Sequence, residues 1–176
     1  MFDRRSPVLS TAVRPTERLL RVLRLVYVVA IPLYAIVLLA TSGGWPAPGN
    51  AWFPYSPMTL PITIVAAITV ISSRSVSRSM LSDGALERML STEASSSVPG
   101  LKPEEQKLAA LAPKLVVPFI VEFAFYEAVA LYGLALGFLS HSLALFLPFG
   151  VVAIGLLLSL PVSLDPLLDR AYKLLK

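Results

Sequence analysis

Cysteine is absent from the 176 residues, histidine occurs once, and only 15% of the positions carry charge. Without thiols the chain has no disulfide framework, no cysteine nucleophile and no thiolate metal site. The shortage of charge says more, because it is uneven. Leu25 to Ser73 runs for 49 residues without an Asp, Glu, Lys or Arg, and Ala128 to Leu164 for another 37. A soluble protein of 19.0 kDa has to wet most of its surface, and two such stretches leave it too little to do so with. Together with 56% hydrophobic residues and a mean hydropathy of +0.74, this excludes disorder and predicts an all-α integral membrane protein.

Four apolar runs are long enough to cross a bilayer. The first is 19–40, entered through Arg21 and Arg24, whose long side chains can reach the headgroups. Residues 41–56 follow as an external loop, rich in Gly and Pro and in Trp45, Trp52, Phe53 and Tyr55, which suit the headgroup layer. The second span is 57–73. Residues 74–114 form a polar, Ser-rich cytoplasmic loop with an amphipathic helix around Met80–Leu90 and a helix start at Pro103-Glu104-Glu105. That second helix is expected to run on into the third span, 115–139, with a bend at Pro118. The turn 140–142 joins it to the fourth span, 143–164, and the two make an antiparallel hairpin. Asp165-Pro166 then caps a C-terminal helix over 165–176, whose Leu167, Leu168, Ala171, Leu174 and Leu175 at helical spacing suit the membrane interface. The architecture expected is a four-helix transmembrane bundle with an interfacial C-terminal helix.

Orientation comes from the 15 basic residues. Six precede Leu25, six lie between Arg74 and Lys114, and three follow Leu164, so the two opposite loops hold none. The positive-inside rule places residues 1–18, the long loop and the C-terminus in the cytoplasm. Nine of the eleven acids share that side, leaving 15 − 9 = +6 facing anionic headgroups. The pI of about 9.6 is therefore a membrane signal, and no nucleic-acid partner is read from it. Arg4-Arg5 is followed too closely by Pro7 to read as an export signal, so the first helix is expected to be retained.

The other two acids, Glu122 and Glu127, fall inside the third span, Glu127 at its middle and Glu122 about 7.5 Å nearer the cytoplasm. A charged carboxylate there costs on the order of 2.5–3.5 kcal/mol on insertion scales. One explanation is structural: a protonated Glu donates a hydrogen bond to a neighbouring helix, with Tyr126, Thr63, Thr69, Tyr27 and Tyr34 as available partners. The other is that a carboxyl able to exchange a proton or hold Na⁺ serves ion movement. On the same span Tyr126, Ala130, Gly133 and Gly137 share one face, and Gly133-x-x-x-Gly137 allows close helix approach. Gly150 and Gly155 of the fourth span could receive it.

The run Glu127-Ala128-Val129-Ala130-Leu131-Tyr132-Gly133-Leu134 resembles the ion-binding helix of the rotor-ring proteolipid, or c, subunits of F- and V-type ATPases. That resemblance implies ion binding at Glu127, completed by Tyr132 or Glu122. It covers this helix only: the first two spans have none of the glycines that let rotor subunits close into a ring. The whole arrangement is similar to small uncharacterised four-helix bacterial membrane proteins, which implies a bacterial cytoplasmic membrane.

Enzyme chemistry finds no footing. His141 sits in an external turn between Ser140 and Ser142, Met58 stands alone at a helix end as a haem ligand, and no phosphate loop or metal spacing occurs. No cofactor and no metal are expected. The function expected is that of a non-enzymatic accessory or structural subunit with a buried protonatable carboxylate, partnered by the bilayer and by other subunits or a second copy through the third span. A proton- or Na⁺-translocating proteolipid and a small transporter are the alternatives.

Overall fold

The computed structural model describes residues 7–42, 59–91 and 100–175, and among them all regular secondary structure is helical. Most of the aromatic loop 41–56, the start of the second span with Met58, Arg4-Arg5 and most of the Ser-rich turn before Gly100 lie outside the described residues. Seven helices follow in order: α1 Pro7–Ser42, α2 Thr59–Met80, α3 Asp83–Ser91, α4 Pro103–Leu111, α5 Val116–Leu139, α6 Leu143–Ser159 and α7 Asp165–Leu174. Three stretches are long and apolar enough to cross a membrane: Val8–Thr41, Thr59–Met80 and Pro103–Leu139. The fourth apolar helix, α6, has 17 residues.

Prolines account for the places where helices depart from the expected spans. The α4 start at Pro103 follows from a proline at the first turn and from a capping box in which Glu105 accepts from the Lys102 amide at 3.2 Å. Pro103–Leu139 is one continuous apolar stretch, as expected, but its α-helix is interrupted by a turn at residues 112–115. Pro113 has no N–H to offer the carbonyl four residues back, and residues 112–115 turn through i→i−3 bonds such as Lys114 N to Leu111 O at 3.0 Å. Pro118, where a bend was expected, falls in the first turn of α5, where a missing N–H costs little. The helix within 143–164 ends at Ser159, because Pro161 forces Leu160 into an extended conformation (φ −71°, ψ 125°) that ends α6.

The chain divides into two compact units. The first comprises residues 24–75 and 121–161, and α5 is its centre. Tyr27 of α1 stacks on Phe123 of α5 with ring centroids 5.7 Å apart. Tyr132 of α5 meets Thr69 of α2 at 3.3 Å. α6 approaches closely too, so that a Cβ built on Gly133 would lie 2.5 Å from Phe149 Cβ and 3.1 Å from the Phe146 carbonyl oxygen. Gly137 abuts the end of the Leu38 side chain of α1, Gly150 abuts Phe146 and Ile31, and Gly155 has open space beside it. This unit is apolar outward: Leu25, Val26, Val29, Leu33, Ile36 and Val37 form an exposed face of α1, and Leu60, Ile64, Val65, Ile68 and Ile71 one of α2.

The α5–α6 turn is closed by a left-handed residue. His141 (φ 47°) occupies the position after the helix, with its N–H bonded to Phe138 O at 3.3 Å and the Ser142 N–H bonded to Gly137 O at 2.9 Å. A Cβ in that conformation costs about 1–2 kcal/mol. His141→Gly is expected to raise stability by about 0.5–1 kcal/mol, the relief being partly offset by a freer unfolded chain, as read from unfolding midpoints in detergent. An unchanged or lowered midpoint would mean that the imidazole itself holds the turn.

The second unit, residues 7–23, 76–120 and 162–175, contains α3, α4 and α7 packed on one another. Leu86 and Leu90 of α3, Leu108 and Leu111 of α4, and Leu168 and Ala171 of α7 are buried, with Leu9 and Val13 of α1. Arg170 of α7 donates to Asp83 of α3 at 2.6 Å. The apolar face of α7, expected to lie in the interface, thus gives its Leu168 and Ala171 to α3 and α4. Asp165 is the first helical residue and not the cap: Leu164 occupies the cap, with its N–H bonded to Glu17 at 3.3 Å, and Asp165 accepts from Ser163 at 2.9 Å.

Candidate functional site

The two carboxylates of α5 have different surroundings, and the difference follows from their positions on the helix. Glu122 accepts from the Tyr126 hydroxyl at 2.8 Å, one turn along the same helix. Ser73 and Arg74, at the end of the apolar run in α2, are hydrogen-bond partners of the same hydroxyl. Glu122 therefore belongs to a polar cluster with Tyr126, Ser73 and Arg74.

Glu127 has no such company. It accepts a hydrogen bond at Oε1 from the Tyr34 hydroxyl of α1, 93 residues away in sequence. Its position is on the outward stripe of α5, where Ala124, Leu131, Ala135 and Phe138 are exposed and Glu127 and Ala128 are half-buried. The carboxylate expected to be buried is not buried within this chain, and neither is Glu122. The reason is geometric: at 100° per residue Glu127 lies about 40° from Leu131 and 60° from Ala124, on the border of the exposed stripe, where the Tyr34 side chain of α1 reaches it.

The residues expected to complete an ion site are dispersed. Tyr132 bonds Thr69 of α2, Glu122 bonds Tyr126, and Glu127 bonds Tyr34. Among the described residues no group of three or more His, Cys, Asp or Glu is placed to hold a metal ion. The packing candidates serve two neighbours: Gly133 meets α6 and Gly137 meets α1, while Tyr126 and Ala130 are buried. His141 is exposed in its turn.

Two polar contacts had no sequence signal. Arg24 of α1 donates to the Leu160 carbonyl at 3.2 Å, across 136 residues, where Pro161 has ended α6 and left backbone to be satisfied. Glu17 takes the Leu164 amide in the same manner. Read along the chain, both side chains look like ordinary flanking charges, because the groups they serve are backbone atoms far away in sequence. No protein-family model matches the chain, and no curated protein or solved structure matches it either.

Proposed function

We propose that the protein is a four-helix integral membrane protein of the bacterial cytoplasmic membrane, with both termini cytoplasmic, that serves as a non-enzymatic accessory or structural subunit of a membrane complex. The outward apolar faces of α1, α2 and α6 support the membrane assignment, and the placement of the basic residues supports the orientation. The subunit role rests on one observation: Glu127 is half-buried at the border of an otherwise apolar exposed stripe of α5, with Tyr34 as its hydrogen-bond partner. A carboxyl facing hydrocarbon is costly, and the usual remedy is a donor from an adjacent helix. A partner helix laid along Ala124, Ala128, Leu131 and Ala135 supplies that donor, and the small alanines let its backbone come close.

The cysteine-free sequence allows single-cysteine photo-cross-linking without a modified background. A probe at Leu131, beside Glu127, is expected to capture one discrete protein partner, whereas one at Val151 on α6 captures lipid. Glu127→Gln keeps a hydrogen-bonding group and is expected to keep the cross-link; Glu127→Leu is expected to reduce it by about tenfold, the loss of some 1.4 kcal/mol. Lipid alone at position 131 would end the subunit reading.

The outward opening of Glu127 also favours a second reading, a proton- or Na⁺-translocating proteolipid. On that reading dicyclohexylcarbodiimide modifies Glu127 at a rate that falls with rising pH or Na⁺, and the purified protein runs as a large stable oligomer. A rate independent of both, from a species of low copy number, would dismiss it.

A further inference from the structure

The N-terminal part of α1 carries a groove of about 560 Å³ lined by Thr11, Arg14, Pro15, Arg18, Leu19 and Val22. All six belong to the second unit. Arg14 and Arg18 are four apart, so both guanidinium groups rise from one face of the helix, and both residues are exposed. Leu19 follows Arg18 directly and Val22 lies one turn beyond Arg18, both about half exposed, at 48% and 53%. At 100° per residue Val22 and Leu19 form an aliphatic strip beside the face of Arg14 and Arg18, a face that the exposed Arg21 continues. Cationic and aliphatic groups thus stand side by side within two turns of one helix.

That juxtaposition matches the chemistry of one ligand class. A glycerophospholipid has a phosphate joined to acyl chains within a few ångströms, and guanidinium groups grip phosphate oxygens through paired N–H donors. An acidic peptide would satisfy the arginines but not Leu19 and Val22, and an apolar helix would satisfy the reverse pair. We propose that this groove binds one anionic glycerophospholipid, its phosphate held by Arg14 and Arg18 and its first acyl methylenes laid on Leu19 and Val22. The proposal rests on the membrane reading above for the supply of lipid. It goes beyond a diffuse surface potential, because it assigns the headgroup to two particular arginines among 15 basic residues.

The test is native mass spectrometry of the purified full chain in micelles, titrated with phosphatidylglycerol or phosphatidylcholine. Retention of phosphatidylglycerol is expected to exceed that of phosphatidylcholine by about tenfold. The double variant Arg14→Gln/Arg18→Gln is expected to abolish the preference, while Arg78→Gln/Lys173→Gln, which removes the same charge elsewhere, keeps it. Leu19→Ser/Val22→Ser is expected to weaken retention of both lipids. All variants are exposed-surface changes, and equal helicity by circular dichroism confirms folding. Equal loss in the two arginine and control variants would reduce the site to general surface charge, and displacement of the lipid by inorganic phosphate alone would make it a free-phosphate site; either overturns the proposal. Incorporation into lipid nanodiscs is scored separately. Failure there counts against the membrane reading, while the headgroup preference in micelles still reports on the groove.

Discussion

Gly133→Leu is expected to prevent α6 from docking on α5. A single added Cβ would already sit 2.5 Å from Phe149 Cβ, an atom fixed to its own backbone, and 3.1 Å from a carbonyl oxygen. Neither can swing aside, so the helices must separate, and separation removes the packing of Phe146 and Phe149, both buried. Gly133→Ala alone is expected to cost about 1–3 kcal/mol, and leucine more. Gly137 offers the contrast. Its obstacle is the tip of the Leu38 side chain, which has rotamers to choose from, so Gly137→Ala is expected to cost under about 1 kcal/mol. Gly155→Ala, with nothing within 4 Å, should be neutral or mildly stabilising. Unfolding midpoints in mixed micelles would rank the three. Equal effects at 133 and 137 would show that the glycines are not read by position and would refute the packing account.

Leu86→Ala carries the other large effect. Leu86 is fully buried where α3 meets α4 and α7, and deleting a leucine to alanine in such a core costs about 2–5 kcal/mol. The three helices have 9, 9 and 10 residues, too few to persist in water without one another. Amide hydrogen exchange in α3, α4 and α7 is therefore expected to accelerate together, by at least about thirtyfold. Residues 121–161 are expected to keep their protection. Acceleration confined to α3 would show that the three helices do not fold as one unit.

How much of this could be read along the chain depends on whether the cause is local. The helical class was legible, because apolar runs of this length admit little else. The α4 start was legible too: Pro103, Glu104 and Glu105 act within one turn. The interruption at Pro113 was not read, because the bend was placed at Pro118; the deciding fact is where α5 begins, which puts Pro118 in a tolerant first turn. Tyr34 stood among several available hydroxyls, and only the helix arrangement picks it out for Glu127. The exposure of Glu127 was less legible still, since mid-span position was taken for burial. Depth in a bilayer and burial in a protein are separate coordinates, and periodicity reports the second only when the neighbours are known. The same gap hid the fate of α7, whose Leu168 and Ala171 suit a lipid surface and a protein core equally well.

On the four-span membrane reading proposed above, the brevity of α6 has a mechanical consequence for the lipid beside it. Seventeen residues rise about 25 Å, against a hydrocarbon layer of about 30 Å. The exposed Val151, Val152 and Leu158 on that helix would draw the adjacent leaflets toward each other. Such hydrophobic mismatch costs fractions of a kcal/mol per ångström, enough to bias a protein toward thinner bilayers and toward neighbours that share the deformation. On that reading the proline that ends α6 helps to decide which patch of membrane the protein prefers.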